Sequence, residues 1–277
     1  MIAIAGKTVL LTGASRGIGA FIACALAREQ ATIVGVSRSL EGLNKVGAEV
    51  QAAGGKWIGL SFDISQVEAL PVLVQQINQL AGSIDILINN AGIEIYRAFQ
   101  DYSTAEFQSI LSTNLVAAIE LSRLVLPTML RQRSGHIVNV ASLAAKKGLP
   151  YDSIYSASKA GLLIWSDSVR QEIVGTGVKI SVICPGYVSH QGMLANTHVP
   201  APNSSGTSTP TYVAKAVIRA IKQNKAELIV NQDSVTEGIT KLLLALYQIF
   251  PQFGDLVYRW LNVPKLNQMR VEKQRFI

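Results

Sequence analysis

Thr8-Val9-Leu10-Leu11-Thr12-Gly13-Ala14-Ser15-Arg16-Gly17-Ile18-Gly19 is the stretch on which the fold turns. Its first five residues are apolar or β-branched and predict a short buried strand, Thr8 to Thr12. From Gly17 to Glu29, Ile18, Phe21, Ile22, Ala25 and Leu26 recur at helical spacing and predict a helix. Between the two, glycines let the backbone turn sharply and approach a bound group. The helix start adds free N–H groups and a positive dipole end. A pyrophosphate suits such a turn; a tight turn without a ligand is the other reading.

Outward from this unit the same alternation continues. Strands are expected at 31–36, 57–61, 85–89, 136–141, 178–184 and 228–230, and helices at 39–53, 66–80, 104–131, 153–174 and 211–223. Strands this apolar are covered on both faces, and their alternation with longer helices implies right-handed crossovers. The expected class is α/β: a doubly wound, mostly parallel Rossmann-type sheet with helices on both faces. Its ligand crevice lies at the carboxyl ends of the strands. Residues 1–235 are expected to form this domain, and 236–277 a helical extension packed on it. Pro200 to Pro210 lacks apolar anchors and is read as a mobile loop.

Hydrophobic residues make up 49% of the chain and charged residues 16%, enough apolar material for a large core. A net charge of +7 suits an anionic partner. With aromatics at 6% and not interleaved with basic runs, nucleic acid is not expected. Cys24 and Cys184 show neither metal-ligand spacing nor a Cys-x-x-Cys motif, so two reduced thiols and a cytoplasmic setting are expected. His136, His190 and His198 are too scattered for zinc. No signal peptide is read at the N-terminus, and no run of roughly 20 unbroken apolar residues is seen.

The second strand ends in Val36-Ser37-Arg38-Ser39, with no acid to bind the ribose 2′-hydroxyl of NAD. Arg38 and Arg16 instead form a guanidinium clamp for the 2′-phosphate of NADP; two solvated surface arginines are the alternative. Asp63-Ile64 follows the third strand, where an adenine edge fits, and Asn89-Asn90-Ala91-Gly92 follows the fourth. Ser142 ends the fifth strand, and Tyr155 and Lys159 follow four apart on one helical face. A free tyrosine has a pKa near 10; an adjacent ammonium is expected to lower it and make Tyr155 a general acid/base. Ser142 is placed to donate to a substrate oxygen. A tyrosine and a lysine four apart are common by chance; their joint occurrence with the other motifs, in order, carries the reading.

Thr12-Gly-x3-Gly-Ile-Gly19, Asn89-Asn-Ala-Gly92, Asn114, Ser142, Tyr155-x3-Lys159 and Pro185-Gly186 together resemble the short-chain dehydrogenase/reductase family, over about residues 5–232. The resemblance implies an NADP(H)-dependent oxidoreductase, a carbonyl reductase or alcohol dehydrogenase, with hydride supplied by the cofactor. It implies a catalytic set of Asn114, Ser142, Tyr155 and Lys159. Asn114 would support a water chain to Lys159, and Lys159 would also hold the nicotinamide ribose. Implied cofactor contacts are Gly13, Ser15, Arg16, Gly17, Ile18, Gly19, Ser37, Arg38, Asp63, Ile64, Asn89, Ala91 and Gly92. Pro185-Gly186 would flank the nicotinamide and Val188 its carboxamide. His190 stands where the family often has threonine. A homodimer or homotetramer through the long middle helices is also implied.

Glu94, Ile95, Ala144, Leu149, Tyr151, Tyr187, His190 and Met193 are expected to line the substrate space. Their mostly apolar character suits a hydrophobic ketone or secondary alcohol. In the tail, Leu242 to Phe250 and Leu256 to Leu261 are apolar, and Lys265, Arg270, Lys273 and Arg275 follow, opposed only by Glu272. Such helices suit an anionic membrane surface, a cover for the substrate mouth, or a partner subunit. Two further functions stay open: a peripheral membrane lipid-ketone reductase, and a non-catalytic NADP-binding regulatory or scaffold protein.

Overall fold

Strand β1, Thr8–Thr12, is buried at every residue, because helices cover both faces of the sheet it belongs to. The computed structural model describes residues 3–189, 193–202 and 207–274. After β1 come α1 (Gly17–Arg28), β2 (Thr32–Ser37), α2 (Leu40–Ala52), β3 (Lys56–Ser61), α3 (Leu70–Ala81) and β4 (Ile86–Asn89). Then follow α4 (Thr104–Leu111), α5 (Ala117–Gln132), β5 (Gly135–Val140), α6 (Ser153–Glu172) and β6 (Val178–Pro185). The remainder is β7 (Tyr187–Val188), α7 (Met193–Asn196), β8 (Thr207–Ser208), α8 (Pro210–Gln223), β9 (Glu227–Val230), α9 (Ser234–Ile249), α10 (Pro251–Trp260) and α11 (Val263–Gln274).

Seven strands form one parallel sheet in the order β3-β2-β1-β4-β5-β6-β9. The chain winds from β1 outward to β3, then returns to place β4 on the other side of β1. The topological switch therefore lies between β1 and β4, where an α/β sheet opens its crevice. Alternate side chains of each strand feed opposite layers. Val9 and Leu11 pack with Ile22, Leu26, Val46 and Val217, from α1, α2 and α8. Leu10 packs with Leu73, Ile77, Leu121 and Val125, from α3 and α5. The expected doubly wound sheet is present.

Three segments depart from expectation. The helix expected over 104–131 is broken by a π-helical turn, Ser112–Val116, between α4 and α5. The joined stretch Thr104–Gln132 is, by length and composition, apolar enough to cross a membrane. It is not an unbroken apolar run, since Glu106, Asn114, Glu120 and Arg123 interrupt it, and its inner side chains Leu121, Val125 and Met129 lie in the core. In the stretch read as a loop, Thr207–Ser208 forms β8, pairing with β7, and Pro210 starts α8; residues 203–206 lie outside the described residues. The tail makes three helices. Pro251 fits the first turn of α10, where no backbone N–H is required of it. The last helix, α11, holds the basic stretch of the expected helical extension, which the apolar pattern did not mark as a separate helix.

His136 on β5 is 1% exposed, and its Nε2 pairs with Ser181 Oγ at 2.8 Å. Burial lowers its pKa from 6.5 to about 4. Between those values the unfolded chain binds the extra proton, so this contribution is complete above 6.5 and is lost as pH falls toward 4. We expect the unfolding free energy of the wild type, read from urea titrations, to fall over that window by up to ~3 kcal/mol more than that of His136→Gln. Parallel pH profiles of the two proteins would contradict this.

Candidate active site

At the switch point the β1–α1 turn touches the chain leaving β4. Gly13 has φ +66°, and a Cβ there would sit 2.8 Å from Ala91 Cα. A Cβ on Gly19 would lie 2.0 Å from the Gly13 carbonyl oxygen, so no larger residue closes this turn. Thr12 Oγ1 accepts from the backbone N–H groups of Asn90 and Ala91, each at 3.1 Å. Asn90 Nδ2 donates to the carbonyls of Thr12 and Gly13 at 3.0 and 3.2 Å. Asn90 thus staples the two loops, a role the sequence reading did not give it.

Helix α1 begins after Arg16 with no side-chain cap and no acid in its first turn, whereas α2, α4, α8 and α9 are capped by Ser39, Ser103, Thr209 and Asp233. The first N–H groups of α1, from Gly17, Ile18 and Gly19 onward, are left for another acceptor. Ser37 Oγ donates to Ser15 Oγ at 2.7 Å, joining the end of β2 to the glycine turn. Arg16 and Arg38 are both exposed, and no ion pair holds either among the described residues. Asp63 Oδ1 accepts from Ser65 N at 3.0 Å and Ser65 Oγ at 2.8 Å.

Two of the expected cofactor residues turn their side chains away from the crevice. Ile64 is 7% exposed, and its side chain belongs to the core, not to a crevice. Asn89 turns its amide inward, donating to Asn139 Oδ1 at 2.8 Å, Ser122 Oγ at 3.3 Å and Ala118 O at 3.3 Å. A buried amide is held where its bonds are, so this side chain is not free for a nucleotide.

The other half of the site is a chamber of about 520 Å³. Ser142, Tyr155 and Lys159 line it together with Ile18, Asn90, Pro185, Gly186 and Val188. Of the expected substrate residues, Glu94, Ala144, Leu149, Tyr187 and Met193 are on its wall; Ile95 and Tyr151 are not, and His190 lies outside the described residues. Sequence reasoning missed Tyr96; the tail, for which a cover over the substrate mouth was one expectation, contributes Leu243, Leu244 and Tyr247 of α9 with Val257, Tyr258 and Trp260 of α10. Lys147 ties α10 down by an ion pair with Asp255 at 2.5 Å.

Lys159 Nζ donates to Val140 O at 2.9 Å and stands 5.7 Å from the Tyr155 ring centre. Tyr155 and Ser142 share the chamber wall, and the Ser142 hydroxyl favours the Tyr155 phenolate. Asn114, in the π-helical turn, has its amide fully engaged. Oδ1 accepts from Ile93 N at 2.8 Å, and Nδ2 donates to Ile93 O at 2.9 Å and Ser158 Oγ at 3.1 Å. Ser158 Oγ in turn donates to Tyr155 O at 2.7 Å. A Cβ on Gly92 would stand 3.4 Å from both Asn114 Oδ1 and Lys159 Nζ, so the glycine leaves these groups room.

The expected lowering of the Tyr155 pKa is reversed in the free protein. Burial, then the negative charges of Glu94 and Asp152, push the phenol well above 10, opposed by the Ser142 hydrogen bond. Burial also lowers Lys159 to about 8, so its ammonium is itself marginal. Glu94 and Asp152 are both raised, first by burial, and no hydrogen bond reaches either Asp152 side-chain oxygen among the described residues. Burial, and for Asp152 the Glu94 charge beside it, favours the neutral carboxyl. Tyrosinate absorbance should therefore show no difference between the wild type and Tyr155→Phe up to pH 10. A titrating phenol near pH 8, lost in the variant, would overturn that assignment.

The family model for short chain dehydrogenases matches residues 7–199. The chain is 57% identical to a ketoacyl reductase, HetN, of a Nostoc species, over 99% of this chain and 96% of that one. It is 34% identical to the 3-oxoacyl-[acyl-carrier-protein] reductase FabG of Haemophilus influenzae, over 66% of this chain and 75% of that one. Among solved structures, a metagenomic short-chain oxidoreductase in complex with NADP superposes with TM-score 0.72 at 30% identity, covering 83% of this chain and 98% of that one. An alcohol dehydrogenase of Thermococcus sibiricus complexed with 5-hydroxy-NADP gives TM-score 0.72 at 25% identity, covering 81% and 96%.

Proposed function

The chain belongs to the short-chain dehydrogenase family of oxidoreductases, and on that premise we propose that it is an NADPH-dependent carbonyl reductase acting on a hydrophobic ketone. One observation carries the reading. Ser142, Tyr155 and Lys159 converge on an otherwise apolar chamber, and two unpaired guanidinium groups stand at the far end of the glycine turn. The names of the ketoacyl relatives point to a ketoacyl substrate, and the apolar wall from α9 and α10 suits its acyl chain.

The site fits the nucleotide on its own features. The Gly13–Gly19 cradle is one that a Cβ would fill, the α1 terminus offers uncapped N–H groups, and Arg16 and Arg38 match a 2′-phosphate. When bound, NADPH supplies the hydride. The chain's residues manage the oxygen and the proton. Ser142 donates a hydrogen bond to the ketone oxygen and holds it beside the phenol. Tyr155, kept protonated by burial, donates its proton there as negative charge develops. Lys159 lies against the tyrosine ring and is placed to steady the phenolate left behind. Asn114 positions the Ile93 backbone and, through Ser158, the first turns of α6.

A second reading adds a membrane surface. Ile239, Leu242, Ile249, Phe250, Leu256 and Trp260 are all exposed on α9 and α10, and Trp260 is 78% exposed while also lining the chamber. An apolar ridge that continues into the substrate chamber suits a lipid-borne ketone. Flotation with anionic vesicles, lost on Phe250→Asp with Trp260→Asp, tests it; wild-type protein left at the bottom of the gradient rejects it. Subunit pairing through the long helices belongs to the main reading, and light scattering separates a homodimer or homotetramer from a monomer.

Fluorescence titration should show NADPH binding more tightly than NADH. Arg38→Ala should weaken NADPH by ~10- to 100-fold, the scale of one charged hydrogen-bond pair, and leave NADH unchanged. Equal loss for both nucleotides would remove the clamp from the reading. Tyr155→Phe should keep nucleotide binding and lose ketone reduction by at least ~100-fold; undiminished reduction would favour another acid.

A further inference from the structure

Helix α11 lies outside the residues that match the family model, yet it reaches into the substrate side of the chamber. Its inward face is Val263, Asn267, Arg270 and Val271. Arg270 is 0% exposed. A buried guanidinium is costly unless it is paired and hydrogen-bonded, so its partners matter. Nη2 donates to Pro200 O at 2.7 Å, and Nη1 donates to Asn267 Oδ1. Its guanidinium lies between two rings, 5.5 Å from the centre of Tyr96 and 5.7 Å from that of Tyr187.

Neighbours on α11 repeat the pattern. Asn267 Nδ2 donates to Pro150 O at 2.7 Å, Lys273 Nζ donates to His198 O at 2.8 Å, and Gln274 Oε1 accepts from Tyr96 N at 2.8 Å. One helix therefore fastens three segments that are far apart in sequence: those following β4, β5 and β6. These segments carry Tyr96, Leu149, Tyr187 and Leu194 of the chamber wall. The charged groups influencing this wall are Arg270, the Glu94–Asp152 pair and Lys159. None of the α11 bonds involves the glycine turn, Arg16 or Arg38.

We propose that Arg270 is a positioning residue for ketone binding: it holds the three segments together and shapes the wall facing Ser142 and Tyr155. The proposal rests on the reductase reading for its kinetic consequence, but not for its structural one.

Hydrogen exchange by mass spectrometry and steady-state kinetics test it together. In Arg270→Met, peptides containing Tyr96 and residues 197–202 should exchange ~10-fold faster or more, the scale of one lost charged bond, while those of β1 and α1 keep their protection. The ketone KM should rise ~10-fold with kcat changed by less than ~3-fold and NADPH affinity retained. Arg270→Lys, which keeps the charge, should recover part of the KM. Gln274→Ala, a milder change, should loosen the Tyr96 peptide alone. Unchanged exchange in both Arg270→Met and Gln274→Ala, or a loss falling on kcat or on NADPH affinity instead of KM, overturns the proposal. If no ketone is turned over even by wild-type protein, the exchange result still decides whether α11 holds the wall.

Discussion

The contact between the turn after β1 and the chain leaving β4 constrains everything around it. Gly19 packs against the Gly13 carbonyl with no room for a methyl group, and Thr12 and Asn90 lock the same two loops by four hydrogen bonds. The sheet order brings these loops together, because β4 crosses to the far side of β1. The uncapped start of α1 then faces the crevice between them, and the chain after Gly92 runs directly to Asn114 and Lys159. Loosening this contact would move both halves of the site at once.

Desolvation governs the catalytic side more than any charge pair does. The phenol of Tyr155, the ammonium of Lys159 and the two carboxyls of Glu94 and Asp152 are all driven toward their neutral forms by burial. A neutral phenol is a proton donor, which matches reduction better than oxidation in the free protein. A positively charged oxidised ring beside it would push the other way, so the resting site and the loaded site differ in their acid–base balance.

The sheet was legible because strands buried on both faces are nearly continuous apolar runs, and because a glycine turn between a strand and a helix has few other uses. The positions of Ser142, Tyr155 and Lys159 followed from strand ends and helical spacing. Three features escaped for physical reasons. The inward turn of Asn89 depends on Asn139, fifty residues away in the chain, which no local pattern announces. The π-helical turn at Ser112–Val116 alters the helical period by one residue and leaves the apolar pattern readable as one helix. Helix α11 buries an asparagine and an arginine on the face where valines would have marked it, so hydrophobic periodicity shows nothing there.

Helix α11 also separates the two ends of the crevice along the chain. Synthesis runs from the amino end, so the glycine turn, the arginines beside it and strands β1 to β5 leave the ribosome well before residues 263–274. A nascent chain halted before α11 has every group assigned to the nucleotide but lacks the helix fastening its substrate wall. Nucleotide grip and the shape of the substrate wall are thus carried by stretches far apart in the chain, and a change within residues 263–274 can alter the second without touching the first.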